Sequence, residues 1–351
     1  MSGINRRRFL VSALGAGGGL GGAAAVGMVG DDRAERWAPG RAATGPPGAG
    51  LHVTRRTCCA LGSQVAITVL DEDPAAAERA IDGALRELRL VERLMSLYRS
   101  DSQLSRLNRD GVLDGPHPYL AGVLDRARRM SQRTGGAFDV TVQPLWDVYA
   151  EAQRAGEAPG AAAIDRARRN VDWRRLEVSA GHVRLHGPGP AVTLNGIAQG
   201  FAADRVRASL ARAGVRHALV DTGEIGTLGG KADEGPWQVG IQHPRREDAY
   251  VALARLEGRC LATSGDYASR FTADGRNHHL FDPKTGRSAD RLASVSVAAR
   301  TATEADALST AVFVLGPERG LHLIRATPGA DVLLVLKDGR SLATRGFPQV
   351  A

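Results

Sequence analysis

Residues 193–225 read T-L-N-G-I-A-Q-G-F-A-A-D-R-V-R-A-S-L-A-R-A-G-V-R-H-A-L-V-D-T-G-E-I. A strand over 191–194 runs into Asn195-Gly196. A helix over 197–213 follows and stops at Gly214, because glycine adopts the left-handed conformation that ends helices. A strand over 217–221 comes next, then the turn T-G-E. Strand, glycine, helix, strand is the unit from which the rest of the fold is read.

Outward from that unit the elements do not alternate regularly. Toward the N-terminus, 52–70 reads as a hairpin turning at Gly62. Helices follow over 74–94 and 118–133, each opened by proline, and shorter ones over 144–153 and 161–168. Short strands are read at 176–178 and 183–185. Toward the C-terminus, strands are read at 237–241, 250–256, 260–263 and 294–298. A helix over 303–314 ends at Gly316-Pro317, a second runs to about 326, and a last strand covers 331–337. Mixed strands and helices without a βαβ rhythm predict an α+β fold in one large domain over 51–351.

The chain has 351 residues, 43% hydrophobic and 24% charged, which is the make-up of a well-cored protein. Aromatics are 5%, too few for a surface that stacks single-stranded nucleic acid. The net charge is +8, and it falls to +5 without Arg6, Arg7 and Arg8. The remaining arginines are scattered among acids, so no nucleic-acid footprint is read. Cys58, Cys59 and Cys260 have no zinc spacing. Cys58 and Cys59 fall on opposite faces of a strand; buried free thiols are expected, with a pairing of one of them to Cys260 as the alternative.

Residues 5–11 read N-R-R-R-F-L-V and open onto a Gly/Ala-rich apolar run. The pattern predicts a twin-arginine export signal over 1–30 and action in the periplasm. The run is too glycine-rich for a membrane span, so no transmembrane protein is expected. Residues 31–50 read as a linker.

Five blocks carry chemistry. M-S-L-Y-R-S-D-S-Q-L-S-R-L-N, 95–108, is a polar loop able to offer backbone N–H groups and the Tyr98 face to a flat ligand; it also reads as a capped turn between helices. T-G-G-A-F-D, 134–139, lets backbone approach a ligand and places Asp139 for a ribose or ring edge; it also reads as a helix stop. T-L-N-G-I-A-Q-G-F-A-A-D, 193–204, starts a helix whose free N–H groups suit an anion. A-T-S-G-D-Y, 262–267, precedes H-H-L-F-D-P-K-T-G, 278–286, where His and Asp serve as base, ligand or orienter. In A-D-A-L-S-T, 305–310, Asp306 and Thr310 are one helical turn apart. A carboxylate beside a hydroxyl suits a hard cation such as Mg²⁺; an Asp that serves backbone N–H groups is the plainer reading.

Five such blocks in this order resemble the FAD:protein FMN transferase family, known as the ApbE family. The resemblance implies an α+β fold with FAD in a cleft. It implies that Met95, Tyr98, Asp139, Ser264 and Asp266 line that cleft, and it places Gln199 and Glu224 on the FAD as well. It implies Mg²⁺ on Asp306, Thr310 and the backbone carbonyl of Ala198. It makes His279 the catalytic residue. Two departures stand out: Gln199 where the family often has Lys, and T-G-E-I, 222–225, where it tends to show G-G-D-I. Both variants resemble the NosX-like branch that accompanies nitrous-oxide reductase systems.

The implied reaction is attack by a client Ser or Thr hydroxyl on the FMN-side phosphorus of FAD, with AMP leaving. His279, oriented by Asp282, would take the proton. Implied clients are exported or membrane-bound electron-transfer subunits with a motif ending near S/T-G-A-S/T. The alternatives are an FAD pyrophosphatase giving FMN and AMP, and a non-catalytic FAD-binding or delivery protein.

Overall fold

The structure, a computed structural model, describes residues 50–349. The expected export signal and all but the last residue of the expected linker lie outside them.

The chain opens with hairpin β1 (His52–Ala60) and β2 (Ser63–Asp71). Its two-residue turn puts Leu61 and Gly62 at φ 52° and 71°, the geometry that matches the twist of paired strands. Helix α1 (Pro74–Met95) is capped by Asp73, whose carboxylate accepts the Ala75 N–H. It buries Ile81, Leu85, Leu88 and Val91 on one stripe, as their spacing predicts. Then come α2 (Gln103–Asp110), β3 (Val112–Asp114), α3 (Pro118–Arg133), α4 (Gln143–Ala155) and α5 (Ala161–Arg168). Strands β4 (Leu176–Val178) and β5 (His182–Leu185) lead to α6 (Ala198–Arg212), β6 (His217–Asp221) and β7 (Ile225–Leu228). A second long hairpin is β8 (Trp237–His243) and β9 (Arg246–Leu256). The C-terminal part holds β10 (Cys260–Gly265), β11 (Phe281–Asp282), β12 (Arg287–Ser288), β13 (Leu292–Ala299), α7 (Ala302–Arg325), β14 (Asp331–Leu336) and β15 (Ser341–Ala343).

The main sheet has eight strands in the order β1-β2-β6-β7-β10-β13-β14-β15, every neighbouring pair antiparallel. Successive side chains point to opposite faces, and the core divides accordingly. Ala218 and Val220 face the helices while Leu219 faces the β8–β9 hairpin. Val332 and Leu334 again face the helices, and Leu333 the hairpin with Trp237, Ile241 and Phe347. Helices cover one face and the hairpin the other, which is the expected α+β class. A third apolar cluster, with Leu145, Tyr149, Phe271 and Phe281, joins α4 and α5 to the segment before β11.

Some expectations are corrected. Residues 191–194 form no strand; Ala191 makes a single bridge to Val142, and Asn108 instead holds the Val192 backbone through both its amide atoms. The loop read at 95–108 contains the start of α2, capped by the Ser102 hydroxyl on the Ser105 N–H. Strands β3, β7, β11, β12 and β15 were not anticipated. All three cysteines are free, so the alternative pairing with Cys260 is not realised, but only Cys260 is buried as expected; Cys58 is half-buried and Cys59 exposed. Gly316, at φ 76°, breaks α7 in the way its Gly-Pro pair predicts.

Helices α6 and α7 cross tightly at Gly200. A Cβ there would lie 2.2 Å from the Ala302 carbonyl oxygen and 2.7 Å from Asp306 Cβ, and neither a helix backbone nor a Cβ can swing away. Gly200→Ala is expected to cost about 3 kcal/mol, the upper range for overpacking. Thermal melting checks this; an unchanged Tm would show that the crossing yields without strain.

Candidate functional site

Two hollows open side by side where the helices meet the C-terminal end of β10. Their empty volumes are about 690 and 830 Å³, and Trp146, Asn195 and His279 wall both. The first is lined by Phe138, Asp139, Thr193, Gly196, Ser264, Asp306 and Thr310. The second is lined by Met95, Tyr98, Ser63, Ala198, Gln199 and Ser269. Four of the five blocks thus contribute to the first hollow, and the M-S-L-Y block to the second.

The M-S-L-Y turn is pinned in place. Ser102 Oγ donates to the Ser96 carbonyl at 2.7 Å, and Ser96 Oγ accepts the Tyr98 N–H. Met95 is buried and Tyr98 is 66% exposed at the rim of the second hollow.

Asp139 lines the first hollow but is engaged by its own chain. Its carboxylate accepts the Thr141 N–H and hydroxyl at 2.8 and 2.6 Å and the Trp173 N–H at 3.1 Å. Burial raises its pKa to about 6 against the pull of those donors.

The two histidines of H-H-L-F-D-P divide their work. His278 is fully buried; Nε2 faces the Ala289 carbonyl at 2.9 Å and Nδ1 accepts the Leu280 N–H. Burial, with the nearby Lys337 charge, lowers its pKa to about 4. Its stabilising contribution is therefore complete above the unfolded value of 6.5 and is lost as pH falls through about 4. Asp139 and Asp221, each raised to about 6 chiefly by burial, act in the opposite sense, their contribution being lost as pH rises through about 6. An NMR titration of the His278 ring is expected to show a midpoint near 4; a midpoint near 6.5 would contradict the neutral buried ring.

His279 faces the hollows. Its Nδ1 lies 3.3 Å from the Ser269 carbonyl, and its ring is edge-on to Trp146. A carbonyl cannot donate, so Nδ1 carries the proton and Nε2 is the basic nitrogen. The expected orienter, Asp282, is placed otherwise: Oδ1 accepts the Lys284 N–H inside the D-P-K-T-G turn. A backbone carbonyl, that of Ser269, orients the ring in place of the expected carboxylate.

Asp266 also differs from expectation. It is buried against Arg245, bidentate at 2.6 and 2.7 Å, and Lys337 at 2.5 Å, and it faces a separate basic hollow with Arg270, Arg276 and Arg287. Burial pushes its pKa up, but those two cations outweigh burial and hold it below the usual carboxylate range. Glu224 lies outside both hollows, its buried carboxylate accepting the Thr263 N–H at 3.0 Å. The two departures from the family pattern touch each other. Thr222 Oγ1 donates to the Gln199 carbonyl at 3.0 Å, and Gln199 Nε2 donates to Ser63 Oγ.

Asp306 and Thr310 share one face of α7 and one hollow, as their spacing predicts. Asp306 Oδ2 also accepts the Gly200 N–H at 2.9 Å, so the anion at the start of α6 is supplied by the protein itself. Asp204 of α6 does the same for α7: its carboxylate accepts the Ala302 and Thr303 N–H groups, both at 2.9 Å, and the Thr303 hydroxyl. Sequence reading passed over Asp204, although it closes the 193–204 block. Ala198 lines the second hollow, which shares the Asn195 and His279 walls with the first, and at Gly196 a Cβ would lie 2.9 Å from Thr310 Oγ1. Among the described residues no group of three or more His, Cys, Asp or Glu could hold a metal ion. The side-chain donors here are one carboxylate and one hydroxyl, a set that fits a hard cation keeping waters and phosphate oxygens.

Fold and site together define an α+β protein with a divided cleft, a histidine on one wall and a carboxylate–hydroxyl pair on another. The ApbE family model matches residues 61–334, and the chain belongs to the ApbE family. It is 34% identical over 269 residues to the FAD:protein FMN transferase of Salmonella typhimurium, covering 73% of this chain and 76% of that protein. It is 34% identical over 315 residues to the enzyme of the same name from Treponema pallidum, covering 82% and 85%. Among solved structures it is similar to the ApbE protein of Thermotoga maritima, with TM-score 0.75 and 28% identity over 84% of this chain and 97% of that one. The apo flavinyl transferase ApbE of Pseudomonas stutzeri gives TM-score 0.74 and 30% identity over 86% and 97%.

Proposed function

We propose that this chain is an enzyme that transfers FMN from FAD to a Ser or Thr hydroxyl of a client protein, releasing AMP. The observation that carries the reading is the meeting of His279 and the Asp306–Thr310 pair in one hollow of a chain related to FAD:protein FMN transferases.

The client oxygen forms a bond to the FMN-side phosphorus, and the bond from that phosphorus to the AMP oxygen breaks. His279 Nε2 takes the hydroxyl proton, with Nδ1–H held on the Ser269 carbonyl so that the ring keeps its tautomer. Trp146 packs beside the ring and limits its rotation. Met95 and Tyr98 offer apolar surface to the flavin or adenine. Mg²⁺ on Asp306, Thr310 and the Ala198 carbonyl would neutralise charge on the phosphate oxygens.

The N-R-R-R-F-L-V opening supports export by the twin-arginine route, which places the clients outside the cytoplasm. Among the described residues no helix is long and apolar enough to cross a membrane. The NosX-like branch rests on Gln199 and Thr222, which the fold brings into contact.

The test follows AMP by chromatography with FAD and Mg²⁺, with and without an acceptor domain, before and after a chelator. AMP release that needs both acceptor and metal supports transfer. Steady AMP and FMN without acceptor identifies a pyrophosphatase. Bound FAD with no AMP identifies a binding or delivery protein.

A further inference from the structure

Three hydroxyls beside the cleft form a chain. Ser309 Oγ lies 2.9 Å from the Asp306 carbonyl oxygen. Ser264 Oγ lies 2.8 Å from Ser309 Oγ and 3.2 Å from Thr310 Oγ1. Ser309 is fully buried, Ser264 is 2% exposed, and Thr310 lines the hollow. Three contacts must be served by three hydroxyl hydrogens, and each hydroxyl has one.

Only one arrangement puts a hydrogen in every contact. The Asp306 carbonyl accepts only, so Ser309 must donate to it. Ser309 then has no hydrogen left, so Ser264 must donate to Ser309. Ser264 is spent in turn, so Thr310 must donate to Ser264. The reverse order would set the Ser309 oxygen against the Asp306 carbonyl with no hydrogen between them, at a buried position where such a contact is costly.

We propose that Ser264 and Ser309 are positioning residues that fix the polarity of the Thr310 hydroxyl, so that it presents lone pairs, never its hydrogen, to the cleft. A hydroxyl held this way welcomes a cation and turns away a phosphate oxygen. The inference rests on the reading of Asp306 and Thr310 as a hard-cation site. Without Ser264, the Thr310 hydrogen is released to rotate, and the oxygen's readiness for a cation is lost.

The experiment measures Mn²⁺ affinity of the full chain, with FAD present, from the free-ion signal in electron paramagnetic resonance. Ser264→Ala and Ser309→Ala are each expected to weaken binding about tenfold, the lower range for residues that orient a metal ligand. Ser264→Thr, which keeps a hydroxyl, should restore it. In a Thr310→Ala background neither serine change should weaken binding further, because both act through Thr310; a merely structural loss would persist there. Wild-type affinity in Ser264→Ala, or an equal loss in the Thr310→Ala background, overturns the proposal while leaving the cation site standing. Wild-type protein that binds no Mn²⁺, or binds it no differently from Asp306→Asn, overturns the cation site and the proposal with it. Folding is followed in parallel by thermal melting, so that only folded variants are compared.

Discussion

Asp306→Asn is expected to lower FMN transfer by about a hundredfold or more, the scale on which removing one charge-stabilising group acts on phosphoryl chemistry. The reason lies in what the substitution keeps. Asn retains an oxygen to accept the Gly200 N–H, so the start of α6 stays capped and the α6–α7 crossing stays in place. What disappears is the negative charge in the hollow shared with Thr310 and His279. FAD should still bind, because Met95, Tyr98 and the apolar walls are untouched. Asp306→Ala adds the loss of the cap and should also lower stability by about 1 kcal/mol. The check pairs AMP release with flavin fluorescence titration. Normal turnover in Asp306→Asn would remove Asp306 from the chemistry.

Asp204→Ala is expected to destabilise the fold by about 4 kcal/mol, because it strips partners from several groups at once. The Ala302 and Thr303 N–H groups at the start of α7 lose their acceptor, as does the Thr303 hydroxyl. Arg207, 3.1 Å from the carboxylate and largely buried, loses its counter-charge. Urea unfolding reads the effect as a lower midpoint with little change in slope. Asp204→Asn, which keeps one acceptor oxygen, should fall between wild type and Asp204→Ala. A loss under about 1 kcal/mol would mean that water serves the start of α7 as well as Asp204 does. The same residue shapes the site at a distance, since the crossing it fastens is what sets Asp306 and Thr310 against Gly196 and Gly200.

What the sequence disclosed follows from how local each signal is. Pro74 and Pro118 mark helix starts, and Gly214 and the Gly316-Pro317 pair mark stops, because these residues restrict or free the backbone where they stand. Alternation along 63–69 in the first hairpin and helical spacing in 74–95 reported which faces are buried. Asp306 and Thr310 were legible as a pair because one helix turn joins them.

What stayed hidden is set by tertiary contacts. Residues 191–194 look like a strand, but Asn108, far away in sequence, takes the Val192 hydrogen bonds that a neighbour strand would need. Asp204 is an ordinary helical acid until α7 lays its N-terminus against it. Asp282 is three residues from His279 and within reach on paper; its turn claims it, and Ser269 orients the ring instead. Asp266 sits two residues past Ser264, but it lies in the turn just beyond β10, where Arg245 and Lys337 hold it at the separate basic hollow. Gln199 and Thr222 were each legible as departures, and only the fold brings the hydroxyl of one to the carbonyl of the other.

FMN transfer is tested by the intact mass of an acceptor domain after incubation with this chain, FAD and Mg²⁺. A gain of one FMN is expected, lost when the acceptor hydroxyl is removed, when the metal is chelated, or when His279 is replaced by Ala. An acceptor that carries a known flavinylation sequence and gains no mass, while FAD is bound or hydrolysed, would contradict FMN transfer.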